Sequence, residues 1–312
     1  MSLEKSRLVE AEAIFGKLAA ADNGADLWRE ERRRVQSGEL DDRPLYWRRL
    51  KLPDDARWLA DSRNYQPLFR DDVDFRVLVT GFDPFNLDKH IEQSNPSGVI
   101  ALFLDQVVVE TGGEKAEIRS SIVPVRFSDF DQGLIEQLID PLLDTLDLLV
   151  TTSMGRDQID LERFPGLRRS SDRPDNNGLL GGGTVKEPMK PPGLNGPEFV
   201  EFTIPADLMT DVGGGFGIRD NRTVTTLECG EITIDKLDSL DDQRSVQGSG
   251  GGYLSNEISY RTNRKVAGRF PVGHIHTPGV VGFDSSMIKK IVDQMTKVIV
   301  AATRTLGRNI QT

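Results

Sequence analysis

The chain has 312 residues, of which 28% are charged and 7% aromatic, a composition typical of a globular protein. Its 39 Lys and Arg residues against 49 Asp and Glu residues give a net charge of −10, which argues against nonspecific binding to nucleic acid or to an anionic membrane surface. The one cysteine, Cys229, excludes an internal disulfide and a multi-cysteine metal site. We find no secretion signal and no run of about 18 apolar residues, so a cytoplasmic location without membrane contact is the expectation.

Residues 1–72 are predicted to form a helical N-terminal extension. Apolar residues recur at helical spacing from Leu8 to Leu18, and a second helix is predicted over Leu27–Gln36. No chemistry is evident in this extension. Its apolar stripes are expected to pack on the main domain or on another subunit, which leaves a homo-oligomer open.

Residues 73–312 are predicted to form the main domain. Strands are predicted from Phe75, over Glu117–Val125 and at 148–152, with helices over about 96–105 and 127–146 between them. This alternation favours a three-layer α/β/α domain around a mostly parallel, twisted sheet.

The second half of the chain is predicted to be less regular. A Gly- and Pro-rich loop is expected over Pro174–Pro197, and a hairpin over Thr223–Asp235 in which Cys229 is a packed thiol. A helix is predicted from about Gly252 to Val266, followed by a strand over Arg269–Ile275. A final helix is predicted, with Asp284 or Ser285 as its N-cap and an end near Gly307.

A glycine run, residues 248–252, leads into the predicted helix that begins near Ser255. Backbone N–H groups at a helix start are preorganised donors for an anion or an oxyanion, and they favour a nucleophile placed there. The simpler interpretation is a flexible turn in which Ser255 is the N-cap. A phosphate-binding loop is excluded because no Lys-Ser/Thr pair follows the glycines.

Two further segments carry side chains suited to catalysis. His274 and His276, two of only three histidines, alternate along one predicted strand, where they could be a metal pair, a base beside a packed neighbour, or surface residues. Asp160 and Glu162 alternate along a second predicted strand. The simplest interpretation is a solvated edge strand whose carboxylates pair with Arg156 and Arg163. A hydroxyl, an imidazole and a carboxylate together form the constellation of a catalytic triad.

Six ordered motifs resemble those of pyroglutamyl-peptidase I, also called pyrrolidone-carboxylate peptidase. They lie at residues 77–85 (VLVTGFDPF), 95–97 (NPS), 155–163 (GRDQIDLER), 172–178 (DRPDNNG), 252–256 (GYLSN) and 273–278 (GHIHTP). The resemblance spans about residues 76–305 and covers the irregular insertion at about 179–247 poorly. It implies an α/β hydrolase that removes an N-terminal pyroglutamyl, or a related cyclic or acyl group, from a blocked peptide without a metal or cofactor.

The resemblance also implies the site residues. Glu162 and His276 take the places of the triad carboxylate and base, and Ser255 stands where the family has its cysteine nucleophile. Phe82 and Phe85 fall where the family's aromatic residues hold the pyroglutamyl ring. Arg156 is a further candidate substrate-binding residue, as a positive charge near the oxyanion.

Serine changes the expected mechanism, because a hydroxyl cannot exist as the thiolate that a cysteine provides. Three explanations of Ser255 stay open: a serine-dependent peptidase, an inactive homologue that binds such a ligand or a protein partner, and a serine introduced into a cysteine peptidase to trap it. Cys229 is no substitute nucleophile, since two glutamates flank its position at 228 and 231.

Overall fold

A computed structural model describes residues 3–16, 23–52 and 68–308. The strands of this part of the chain are β1 (Phe75–Phe82), β2 (Val107–Thr111), β3 (Glu114–Val123), β4 (Leu148–Met154), β5 (Ile159–Glu162), β6 (Ile218–Asn221), β7 (Thr223–Thr226), β8 (Gly230–Thr233), β9 (Ser245–Gln247) and β10 (Val272–Thr277). Its helices are α1 (Leu3–Ser6), α2 (Leu8–Phe15), α3 (Gly24–Gln36), α4 (Arg43–Arg49), α5 (Pro96–Leu104), α6 (Phe127–Asp131), α7 (Leu134–Ile139), α8 (Asp207–Thr210), α9 (Leu254–Val266) and α10 (Ser285–Thr303).

The central sheet has seven strands in the order β2-β3-β1-β4-β10-β5-β6. The neighbours β3, β1, β4 and β10 run parallel to one another, as do β5 and β6. The pairs β2–β3 and β10–β5 are antiparallel. The predicted mostly parallel sheet is therefore confirmed. A second, three-stranded antiparallel sheet, β8-β7-β9, includes the predicted hairpin.

Helices cover both faces of the sheet. Successive residues of a strand point to opposite sides, so a strand that is apolar throughout needs cover on each face. Val77 and Val79 of β1 pack in one buried cluster with α5 and α10. Leu78, between them, packs in a second cluster with α6, α7 and α9. The predicted three-layer α/β/α architecture is thus confirmed. No helix of the described ranges is long and apolar enough to cross a membrane.

The N-terminal helices pack on the main domain, one of the two alternatives expected. Leu27 and Val35 of α3 and Leu45 of α4 belong to the same buried cluster as α5. The buried Asp42 carboxylate accepts hydrogen bonds from the Ser94 hydroxyl at 2.5 Å and the Asn95 N–H at 3.0 Å. Residues 17–22 and 53–67 of the predicted extension lie outside the described residues. The division at residue 72 stays a prediction.

The helix predicted over 127–146 is wrong as a single element. It consists of α6, α7 and a 3₁₀ turn, Asp140–Leu142. Gly133 separates α6 from α7 with a φ of +78°, a conformation that favours glycine, and Pro141 cannot continue the helical hydrogen bonds. The final helix is capped by Asp284 as predicted, but a 3₁₀ turn follows it at Leu306–Arg308 in place of a Gly307 cap.

The packing predicted for Cys229 is also wrong. This thiol is exposed in the turn between β7 and β8. The expectation of a packed thiol depends on placing Cys229 in a strand of the hairpin, whereas β7 ends at Thr226 and β8 begins at Gly230. The position of the thiol also keeps it out of the cleft described below, whose lining does not include it.

Candidate functional site

A cleft of about 740 Å³ brings together residues from three distant parts of the chain. Glu162 comes from the end of β5, His276 from the end of β10, and Ser255 from the first turn of α9. All three line the cleft, and Arg156 lines it as well. The residues predicted from sequence as nucleophile, base and carboxylate therefore share one surface.

Glu162 and His276 form a close pair. His276 Nδ1 lies 2.5 Å from Glu162 Oε1, and the other carboxylate oxygen, Oε2, accepts a hydrogen bond of 2.8 Å from Asn221 Nδ2. Glu162 is 1% exposed. A buried carboxylate with two partners is fixed in position, and it selects the tautomer of the imidazole that carries its proton on Nδ1.

The interpretation of β5 as a solvated edge strand is wrong. β5 lies between β10 and β6, and its Asp160 and Glu162 are buried. Asp160 pairs with Arg219 at 2.9 Å rather than with Arg156. The edge position is taken by β6, which lies in the poorly matched insertion, so the motif around β5 gave no sign of it.

His274 is a buried neighbour of His276, with the two rings 5.0 Å apart at 90°. Its ring nitrogens lie 2.8 Å from the Thr151 and Ser153 hydroxyls. Complete burial, with the adjacent His276 a smaller cause, holds the pKa of His274 well below its usual range. The imidazole is therefore neutral and packed, and the surface interpretation does not hold for this residue.

Ser255 is the second residue of α9, and Tyr253 rather than Ser255 occupies the N-cap position. The Ser255 hydroxyl is half-buried and donates a hydrogen bond of 3.2 Å to the Gly250 carbonyl. No hydrogen bond joins Ser255 to His276 within the described ranges. The first N–H groups of a helix have no partner inside it, so the N–H groups of residues 254–256 are not used by hydrogen bonds within α9.

The glycine run is a packed turn rather than a flexible one. A Cβ on Gly248 would lie 2.4 Å from the Gly166 nitrogen, and Gly251 has a φ of +87°. Asn256 of α9 exchanges two hydrogen bonds with the backbone of Gly166, at 2.9 and 2.7 Å. These contacts fix the start of α9 against the segment that follows β5, and thereby set the position of Ser255 relative to Glu162.

Phe82 and Phe85 line a smaller cavity of about 30 Å³ beside the cleft. Phe82 is also part of the core, where its ring stacks on Phe130 with centroids 6.3 Å apart. Phe85 is more open and lies 6.5 Å from the Tyr253 ring. Ser255 lines this cavity too, so the hydroxyl lies where the small cavity meets the large cleft.

Arg156 is exposed on the cleft wall. No hydrogen bond or ion pair of its guanidinium is present among the described residues. Its backbone carbonyl accepts a hydrogen bond of 2.5 Å from the Gly279 N–H, which holds the turn after β4 against the segment after β10.

Sequence reasoning missed two residues of the site. Asn221, which holds Glu162, is its register partner in the parallel pair β5–β6. It lies in the irregular insertion, where no motif marked it. Tyr253 lines both cavities and stacks edge-on against Phe127 at 5.3 Å. Its position two residues before Ser255 was the sequence signal that could have marked Tyr253 as a residue of the site.

Part of the chain is similar in sequence to an uncharacterized bacterial protein. A family model described as "PA0049, C-terminal domain" matches residues 76–189. The uncharacterized protein PA0049 of Pseudomonas aeruginosa is 26% identical over 206 residues, which is 51% of this chain and 37% of that protein. The chain thus spans little more than a third of the length of that relative.

Three solved structures have the same fold, each with a TM-score of 0.50. Pyroglutamyl peptidase I from Bacillus amyloliquefaciens is 20% identical and aligns with 74% of this chain and 95% of its own. A mutant pyrrolidone carboxyl peptidase from Pyrococcus furiosus is 21% identical, with 74% and 100% covered. The enzyme from Thermococcus litoralis is 18% identical, with 75% and 94% covered. The chain therefore has the α/β fold of these peptidases.

Proposed function

We propose that this protein is a pyroglutamyl-peptidase-like hydrolase that removes an N-terminal pyroglutamyl, or a related cyclic or acyl group, from a peptide. The main support is the Glu162–His276 pair in the same cleft as Ser255, at the mouth of a small cavity lined by Phe82 and Phe85. A pyroglutamyl lactam has no free amine, so its pocket needs apolar walls and a few amide partners rather than a carboxylate.

Ser255 is the nucleophile in this proposal. Its Oγ attacks the carbonyl carbon of the scissile amide, and its proton passes to His276 Nε2. The Glu162 carboxylate holds Nδ1–H and stabilises the imidazolium. His276 then gives the proton to the leaving amine, which departs and leaves an ester on Ser255. A water molecule, deprotonated by His276, cleaves that ester and restores the hydroxyl.

The negative charge that develops on the attacked carbonyl oxygen needs preorganised donors. The unshared N–H groups at the start of α9 provide them beside Ser255, and Arg156 adds a positive charge on the cleft wall. The packed glycine turn keeps these donors in position, so little reorganisation accompanies the reaction.

A second candidate is a homologue that binds the same ligand without turnover. It is favoured by the Ser255 hydroxyl donating to the Gly250 carbonyl and having no hydrogen bond to His276 in the described part of the chain. Ser255 must rotate away from Gly250 before it can attack, and a misplacement of about 1 Å can cost on the order of 100-fold in rate.

A fluorogenic pyroglutamyl amide separates the two candidates. If the protein is a serine hydrolase, the unmodified chain turns the substrate over and Ser255→Ala does not. Ser171→Ala, which removes another hydroxyl of the same cleft, is the control and should change turnover little. Turnover only in Ser255→Cys would establish the second candidate, a usable pocket without an effective nucleophile. Silence of both the unmodified chain and Ser255→Cys would overturn the substrate assignment.

A further inference from the structure

The two cavities divide a substrate into two parts. The small cavity and the large cleft share Phe85, Met154, Tyr253 and Ser255. If the cyclic acyl group lies against Phe82 and Phe85, the scissile bond lies at Ser255, and the residues after that bond extend into the larger cleft. Side chains that line the large cleft alone therefore contact the leaving group.

The large cleft has four cationic side chains, those of Arg156, Arg173, Lys186 and Arg219, and three carboxylates. Its carboxylates are Asp160, which is paired with Arg219, Glu162, which is paired with His276, and the exposed Asp172. Its cations other than Arg219 are Arg156, Arg173 and Lys186. All three are exposed, and none has an ion pair among the described residues.

This local excess of positive charge contrasts with the net charge of −10 of the whole chain. With four cations against three carboxylates the excess is one positive charge, and exposed cations without an ion pair attract an anionic ligand. Arg173 and Lys186 lie in the segment between β5 and β6, which forms one wall of the cleft. They line the large cleft and not the small cavity, so the attraction acts on the leaving group rather than on the acyl group.

We propose, on the basis of the function proposed above, that the leaving group of the substrate carries a carboxylate. The substrate is then a pyroglutamyl-type group followed by an acidic residue or by a free C-terminus, and Arg173 and Lys186 determine this preference. An exposed ion pair changes binding about 2- to 5-fold, so the two cations together give a preference of about 10-fold.

Four peptides test the proposal: pyroglutamyl-glutamate amide, its neutral counterpart pyroglutamyl-glutamine amide, pyroglutamyl-glutamine with a free C-terminus, and pyroglutamyl-lysine amide. We expect kcat/KM about 10-fold higher for either carboxylate-bearing peptide than for the neutral amide, and lowest for the lysine peptide. The faster of the two carboxylate-bearing peptides shows whether the cleft recognises a side-chain carboxylate or a free C-terminus. The preference should weaken at high salt, because exposed charges are screened.

The variant Arg173→Glu/Lys186→Glu should abolish or invert the preference, measured as the ratio of kcat/KM for a carboxylate-bearing peptide to kcat/KM for the neutral amide. A matched control is Lys290→Glu/Lys297→Glu, which makes the same change of net charge on the exposed face of α10, outside the cleft. If the control changes the preference as much as the cleft variant, the effect is one of total charge and the proposal is wrong.

The failure of this proposal is distinguishable from that of the proposed function. Equal turnover of all four peptides would overturn the charge preference and leave the hydrolase standing. If no peptide is cleaved, calorimetric titration with the same peptides replaces kinetics. Tighter binding of the carboxylate-bearing peptides would then support the preference without catalysis, and binding of none of them would overturn both.

Discussion

Two buried carboxylates in this protein have opposite surroundings. Glu162, at the end of β5, lies 2.5 Å from the imidazole of His276, a group that can accept a proton. Asp42, before α4, is 2% exposed, and its side-chain partners in the described part of the chain are the neutral Ser94 hydroxyl and Asn95 N–H. Burial is thus equal, while the chemistry of the partners differs.

The difference separates a carboxylate suited to catalysis from one that holds structure. A carboxylate beside an imidazole can stabilise the imidazolium during proton transfer. Asp42 has no such partner among the described residues, and burial, followed by the negative charge of Asp41, raises its pKa to about 8. Its hydrogen bonds instead attach the N-terminal helices to the start of α5. Substitutions at the two positions should therefore affect different properties.

Glu162→Gln should have the largest effect on activity. The amide no longer stabilises the imidazolium or selects the tautomer of His276, so we expect kcat to fall on the order of 10⁴-fold. Asp160→Asn is the matched control, since Asp160 lies on the same strand and also lines the cleft but pairs with Arg219. Similar losses in both variants, measured on the same substrate, would argue against a special role for Glu162.

Asp42→Asn should change the dependence of stability on pH. The folded state binds a proton at Asp42 below about pH 8, whereas the unfolded chain releases it above about pH 4. The contribution of Asp42 to stability is therefore complete below about pH 4 and is lost as the pH rises toward 8, at up to about 1.4 kcal/mol per pH unit.

The asparagine variant lacks this titration, so its stability relative to the unmodified chain should rise between pH 5 and pH 8. Chemical unfolding of both proteins at the two pH values measures the change. A constant difference between them would mean that Asp42 titrates normally in the folded state.

The central sheet and the catalytic candidates were readable from sequence for a physical reason. β1 and β4 are short, largely apolar runs, as expected for parallel strands covered on both faces. Glu162 and His276 lie at strand ends and Ser255 at the start of a helix, where α/β folds place their sites. Their assignment as catalytic residues stays a prediction, because proximity in a cleft does not demonstrate turnover.

The partners of these residues were not readable, because they are distant along the chain. Asn221 reaches Glu162 across 59 positions, through the pairing of β5 with a strand inside the insertion. Local periodicity contains no information about which strand lies beside which. The same limit explains why β5 was interpreted as an edge strand.

Asn221→Ala tests the support of Glu162 and should have an intermediate effect. Loss of one hydrogen bond to a buried carboxylate amounts to about 1.5 kcal/mol, or about 10-fold in kcat. KM should change little, since Asn221 acts on Glu162 rather than on the substrate. An unchanged kcat would show that the pairing with His276 alone is sufficient to hold the carboxylate.

Ser94→Ala is the corresponding change at Asp42 and should have the smallest effect. It removes the hydroxyl that donates to Asp42 at 2.5 Å, while the Asn95 N–H remains as a partner. We expect a loss of about 1 kcal/mol in the free energy of unfolding, and activity within about 2-fold of the unmodified chain. A larger loss of activity than in Asn221→Ala would mean that the contact at Asp42 sets the geometry of the cleft, because Asn95 also lines the small cavity. In that case the two carboxylates would act on one site, and the separation between catalytic and structural roles would fail.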